Sequence, residues 1–275
     1  MAFGGENAES YYDEGVTAAM TGDVERAVRS FEKAIRMDNS MSSAYHQLGR
    51  CYLRVGKGDQ AIALLTQVVT RRPEQVPPRL DLGYAFLSAG RLEDARRQFN
   101  QVLMLEGGNA RAQLGLAQAS FQSGAWVAAM NEARTAVAIG GVNTFAGLYL
   151  LGRAAKLSGD YEAATGALKK ADALLEKTIE KTGGDKPESH YLRGEVAYIQ
   201  DNFAAALDHY RTAQGHAKHG KSYTAYGENF GLADILARQG LCLQRMGHTD
   251  RAREVGARIG ELDPGHKIGK ALREG

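Results

Sequence analysis

Bond-making chemistry needs nucleophiles, bases or metal ligands that converge, and few residue sets in this chain could do so. Cys51 and Cys242 stand far apart, and neither has a metal-ligand spacing. Both fall in helix-forming stretches, where a free thiol behaves as a small buried hydrophobe. His216 and His219 are three apart, which supplies two ligands and leaves a metal site incomplete. The other histidines are scattered; His209, beside the core-type Tyr210, reads as exposed or half-buried. No G-x-S-x-G, HExxH, P-loop or dinucleotide fingerprint is present. The paired carboxylates read as solvated residues on helices. These observations point away from an enzyme and call for no metal or cofactor. What remains is recognition through arginine forks that grip carboxylates, and through tyrosine rings that offer contact area at low entropic cost.

Composition limits the elements that can carry such residues. Hydrophobic residues make up 44% of the 275, enough for a continuous core and too many for a disordered chain. Ala, Leu, Gln, Arg and Glu are frequent and proline is scarce at 5, which favours helices. Alternating β-branched runs are rare, which argues against a sheet. The formal net charge is only +2, so the basic excess of a nucleic-acid binder is missing. No apolar stretch is long enough to span a membrane. The start, "MAFGGENAESYYDEG", has neither a basic nor an apolar leader region, so the default location is cytoplasmic. A removed signal, or recruitment to an envelope complex, stays open.

The organisation is repetitive. Gly15, Gly49, Gly83 and Ala117 recur at intervals of 34. Gly22, Gly56, Gly90 and Gly124 keep the same interval, as do Ala27, Ala61, Ala95 and Ala129. So do Phe31, Leu65, Phe99 and Ala133, and after them Ala34, Val68, Val102 and Ala136. After one inserted residue, Thr144, the phase returns at Leu151-Gly152, Gly159, Ala164, Leu168 and Ala171. Two longer insertions follow, near 179–186 and 221–232. Gly194, Ala206, Tyr210 and Ala213 lie between them, with Asp201 in the place of the middle glycine. The last unit holds Gly240, Gly247, Ala252, Ile259 and Pro264. Seven repeats result, near 8–41, 42–75, 76–109, 110–143, 145–178, 187–220 and 233–266. An arm at 1–7 precedes them, and a tail or cap at 267–275 follows.

Each repeat reads as two helices, because its apolar spacing is three and four rather than two. Glycine closes the first helix. Asp23, Asp59 and Asp160 are placed to cap the second. Pro73 and Pro264 end it in repeats two and seven. One helical hairpin cannot bury its apolar face alone, so neighbouring hairpins must stack. The fold class is all-α, a solenoid of stacked antiparallel helix pairs.

The pattern resembles the tetratricopeptide repeat family. Repeat two supplies Tyr45, Leu48-Gly49, Tyr52, Ala61, Leu65, Val68 and Pro73 in the family's order. Repeats one, three and seven supply shorter versions. Departures are Glu14, Arg193 and Gln239 where leucine is usual, Ser120 and Ala133 for aromatics in repeat four, and Gly256 for an aromatic in repeat seven. The resemblance implies a right-handed superhelix whose concave groove is lined by the first helices. It also implies a non-enzymatic adaptor or scaffold that holds a peptide or protein there.

Positions 2, 5, 9 and 12 of each repeat would face that groove. In repeat two these include His46, Arg50 and Leu53, with Arg54 beside them. Repeat three offers Leu80, Tyr84 and Leu87, and repeat four Arg111, Leu114, Gln118 and Phe121. Repeat five offers Tyr149, Arg153 and Lys156, and repeat six Tyr191, Glu195 and Tyr198. Cations among aromatic and apolar groups suit a partner segment with acidic and apolar side chains, captured through repeats two to five. The competing reading is a solvated face with surface ion pairs. Some family members clamp a chaperone's terminal carboxylate with a basic residue and an asparagine at positions 5 and 9. No repeat here has Lys with Asn there, so that clamp is not expected. Self-association through the first repeat is a second functional class, and nucleic-acid-linked regulation a third. The insertion "GHAKHGKSYTAYGENFG" reads as a polar loop at the edge of the stack, or else as a contact surface peculiar to this chain.

Overall fold

The computed structural model describes residues 7–141, 144–182, 186–225 and 228–275. Among them it has fifteen α-helices and one short β-hairpin. They fall into two compact units, Met1–Thr144 and Phe145–Gly275.

In the first unit, each hairpin pairs a first helix with a second. The first helices are α1 (Ala8–Thr21), α3 (Ser42–Arg54), α5 (Val76–Ser88) and α7 (Ala110–Gln122). The second helices are α2 (Val24–Met37), α4 (Gly58–Arg71), α6 (Leu92–Leu105) and α8 (Trp126–Ile139). Each hairpin packs on the next, and first helices also touch first helices. The recurring small residue has a steric cause. A Cβ on Gly83 would lie 2.6 Å from the Phe99 ring, and one on Gly115 only 2.4 Å from it. Phe99, fully buried on α6, therefore sits against the backbones of α5 and α7 together. Gly15 with Phe31, and Gly49 with Leu65, repeat the arrangement.

The second unit contains α9 (Thr144–Ser158), α10 (Tyr161–Thr182), α11 (Pro187–Ile199), α12 (Phe203–His216), α13 (Leu232–Arg245), α14 (Thr249–Leu262) and α15 (Lys267–Glu274). The first long insertion extends α10 to 22 residues, and its part at 183–185 lies outside the described residues. Gly152 lies against Leu168 and Gly194 against Tyr210, so the same rule holds in this unit. In repeat seven the missing aromatic is compensated by α15. Its Leu272 is buried against Gly240, and its backbone approaches Gly256.

Three local readings are decided by the structure, and the second of them holds. Asp23 and Asp160 do cap their helices, accepting from Arg26 N and Ala163 N at 3.0 Å each. Asp59 does not: it stands inside the first turn of α4, whose N-cap is Lys57. A carboxylate there still favours the positive helix end. Second, Asp201 takes the left-handed turn conformation, φ 59°, that glycine supplies at Gly22, Gly56 and Gly90. Third, the insertion after α12 is no plain polar loop. It contains antiparallel strands β1 (Tyr223–Ala225) and β2 (Glu228–Phe230), with Tyr223 paired to Phe230 and both buried. Tyr226 lies outside the described residues.

Candidate interaction site

In the first unit, three of the expected groove residues meet at one carboxylate. His46 Nε2 lies 2.8 Å from Asp81 Oδ2, and Arg50 Nε lies 3.7 Å from the same oxygen. Arg111 approaches the other oxygen, Oδ1, at 3.6 Å. These residues come from α3, α5 and α7, three successive first helices. Side-by-side stacking brings together residues about 30 apart in sequence, in line with the repeat length. The Asp81 side chain is 15% exposed, whereas Arg50 and Arg111 are 54% and 50% exposed. Both guanidinium contacts are beyond hydrogen-bond distance. Two permanent cations thus face one anion; Arg50 Nη1 also donates to Gln47 Oε1 at 3.2 Å, and both cationic side chains stay about half exposed.

Tyr84 forms the floor beside them. Its hydroxyl donates to the Arg111 carbonyl at 2.7 Å, and the Arg111 guanidinium lies 5.8 Å above its ring. The ring packs edge-on against Phe99 at 5.0 Å. Burial pushes the Tyr84 phenol up to about 12; Arg111 opposes this and Asp81 adds to it. Arg54 turns away from this carboxylate, and its Nη1 donates to the Ala19 carbonyl at 3.1 Å, near the end of α1. Gln118 is half-buried on α7. Leu80, Leu87 and Leu114 do not lie free in a groove; all three are buried. First helices pack on one another as well as on second helices, so part of the expected groove surface is core.

The remaining candidates lie in the second unit, each tied to its neighbours. The Arg153 guanidinium lies 5.5 Å from the Tyr149 ring centroid, and the Tyr149 hydroxyl is 3.5 Å from Glu195 Oε2. Lys156 donates to the Ile199 carbonyl at the end of α11 and pairs with Asp201 at 2.6 Å. Tyr198 packs edge-on against Phe203 at 5.3 Å. Tyr191 and Glu195, expected to face a groove, are buried. Glu195 accepts from the Tyr210 hydroxyl at 2.7 Å and pairs with Arg238 Nε at 2.8 Å. Phe230 of the hairpin stacks on Tyr191 at 4.0 Å, which explains the burial. Here the chain's own insertion covers the first-helix face.

Sequence reasoning missed Asp81 and Arg238, both at position 6 of a repeat. A signal was available: each has a charge opposite to position 9 of the repeat before it, Arg50 and Glu195 respectively. Both cysteines are free and buried, and burial raises the Cys242 thiol to about 12. Among the described residues no group of three or more His, Cys, Asp or Glu could hold a metal ion. Nor is any helix among them long and apolar enough to cross a membrane.

Models of tetratricopeptide repeats match residues 18–82, 55–105, 86–141 and 149–220, well over half of the chain. The chain belongs to the tetratricopeptide repeat family. A tetratricopeptide repeat protein from Parabacteroides merdae ATCC 43184 superposes with a TM-score of 0.67 at 15% identity, covering 98% of both chains. PilF of Pseudomonas aeruginosa gives 0.55 at 16% identity, over 86% of this chain and 98% of that one. MamA of Desulfovibrio magneticus RS-1 gives 0.57 at 18% identity, over 63% and 97%. At such identities the likeness is one of fold. DnaJ homolog subfamily C member 3 is 29% identical over 97 residues in both mouse and human. That match covers 35% of this chain and spans about a fifth (19%) of the length of those curated relatives. Membership gives the chain the general role of the family's repeats, a scaffold for protein–protein interaction.

Proposed function

We propose that the first unit captures a partner segment on the face formed by α3, α5 and α7. An acidic side chain lies between Arg50 and Arg111, and an apolar one rests on Tyr84 and the half-buried Leu53. The observation that carries this reading is the convergence of His46, Arg50 and Arg111 on Asp81. Asp81 restrains both guanidinium groups in advance without saturating them, which lowers the ordering cost of binding a carboxylate. It also repels that carboxylate, so it sets an upper limit on affinity. Arg153 and Lys156 belong to the other unit and take no part in this site.

The test begins with pull-down and peptide mapping, followed by fluorescence anisotropy on the mapped peptide. The double change Arg50→Gln and Arg111→Gln should weaken binding at least tenfold and flatten its salt dependence. Asp81→Asn should tighten it. Unchanged affinity in both variants, with helicity intact, would place the partner elsewhere. A second reading is self-association through α1, favoured by Tyr12, Val16 and Ala19, which are only partly buried. Light scattering that reports a monomer across the working concentration range removes it.

A further inference from the structure

We propose a separate binding site in the second unit, for an apolar organic carboxylate, in the cleft between β2, α13 and α15. The cleft has a volume of about 420 Å3, within the range of small-ligand sites. One wall is the stacked pair Tyr191 and Phe230, whose planes lie 9° apart. Ala237 and Ile268 extend the apolar surface.

The polar groups of the cleft are unequally engaged. Asp234 lines it, but Oδ2 accepts from Gly231 N at 2.8 Å and Oδ1 contacts His266 Nε2 at 3.2 Å. Asn229 Oδ1 accepts from the Thr224 hydroxyl at 2.6 Å, leaving its amino group as a donor. Arg238 commits Nε to Glu195, with the Tyr191 hydroxyl 3.4 Å from the same nitrogen. Among the described residues neither of its η amino groups makes a hydrogen bond, and the side chain is 29% exposed. The acceptors of the cleft are therefore used internally, and the free capacity consists of donors beside an aromatic wall. A carboxylate accepts from a guanidinium and an amide together, by short charge-assisted bonds, while its apolar body covers the rings. A free organic acid and the carboxyl end of a peptide share this chemistry.

The experiment is calorimetric titration of the full chain with N-acetyl-leucine, N-acetyl-phenylalanine, their carboxamides, and a short peptide ending in leucine with a free or amidated end. The acids should bind at least tenfold tighter than the amides. A preference for the N-acetyl acids identifies a free metabolite-sized ligand; a preference for the peptide acid identifies a chain end. Asn229→Ala, on an exposed side chain, should weaken the acids severalfold with no change in Tm. Arg238→Lys should weaken them further. Because that change also disturbs the buried Glu195, Ile268→Glu serves as the independent variant: it places a carboxylate at the half-exposed rim and should abolish acid binding. Equal binding of acids and amides overturns the proposal. So does the absence of heat at millimolar ligand, or wild-type affinity in Asn229→Ala and Ile268→Glu.

Discussion

Replacing Gly194 by alanine tests the packing rule on which the stack depends. A Cβ there would lie 2.4, 2.6 and 2.8 Å from three ring atoms of Tyr210. The ring cannot step aside, because Tyr210 is fully buried and its hydroxyl is held by Glu195 at 2.7 Å. Overpacking of this kind costs about 1–3 kcal/mol, and three contacts below 3 Å place it at the upper end. Alanine recovers about 1 kcal/mol of helix propensity. The net expectation is a loss of about 2 kcal/mol. Gly166, exposed on α10 of the same unit, has nothing within 4 Å of the added carbon. There the same substitution should stabilise by about 1 kcal/mol, from propensity alone. Urea unfolding followed by circular dichroism gives both values from the midpoint shifts. Tyr210→Ala supplies the third arm, since repeat four holds Ala133 at this place and tolerates Ala117 at the small-residue position. In that background Gly194→Ala should cost at least about 1 kcal/mol less, a coupling of the size expected for touching residues. A stabilising Gly194→Ala, or strict additivity with Tyr210→Ala, would refute the close-approach argument.

Two further outcomes follow from single side chains. Asp201→Gly should raise Tm, because relief of a left-handed aspartate gains about 1 kcal/mol while the exposed pair with Lys156 contributes less than that; a lower Tm would show that the pair outweighs the strain. Tyr84 has a phenol pKa of about 12 in the folded chain against an ordinary value of 10, so its neutral form is the one folding favours. Its contribution is complete below pH 10 and is lost as pH rises through 12. The stability difference between wild type and Tyr84→Phe should therefore shift against wild type over that interval, and a constant difference would refute it.

Much of the fold was legible because one steric requirement repeats. Each first helix must present a residue without a large side chain to one bulky residue of a second helix, and Gly15, Gly49, Gly83, Gly152 and Gly194 mark that contact at the same place in their repeats. Positions that broke the family pattern were also explicable once partners were visible. Glu14 binds Arg26, Arg193 binds Asp172, and buried Gln239 binds the Tyr210 carbonyl and Gln214. The hairpin was not legible. "SYTAYGENF" has too few residues for a clear alternation, and what fixes it is the stack of Phe230 on Tyr191, a contact made across more than a repeat length. Groove positions were only half legible. Periodicity tells which residues face the first-helix side, and it cannot tell that Leu80, Leu87 and Leu114 are buried there.

The two units reveal a constraint that acts between repeats rather than within them. At the junction of repeats two and three, position 9 is Arg50 and position 6 of the next repeat is Asp81. At the junction of repeats six and seven the same two places hold Glu195 and Arg238, with the charges exchanged. Stacking dictates that these places meet; it does not dictate which sign stands where, since a pair attracts equally either way. The surroundings then decide what each pair is for. Around Asp81 the second arginine, Arg111, leaves positive charge in excess at a half-exposed surface. Around Glu195 the neighbouring Tyr210 helps to remove water, and this buried carboxylate, if it lost its cation, would cost about 3–5 kcal/mol. The first junction can therefore lose its carboxylate and still fold, whereas the second cannot lose its arginine without penalty. At the first junction the charges themselves are free to change, whereas at the second Arg238 must stay, and only its outward η groups are left to serve a ligand.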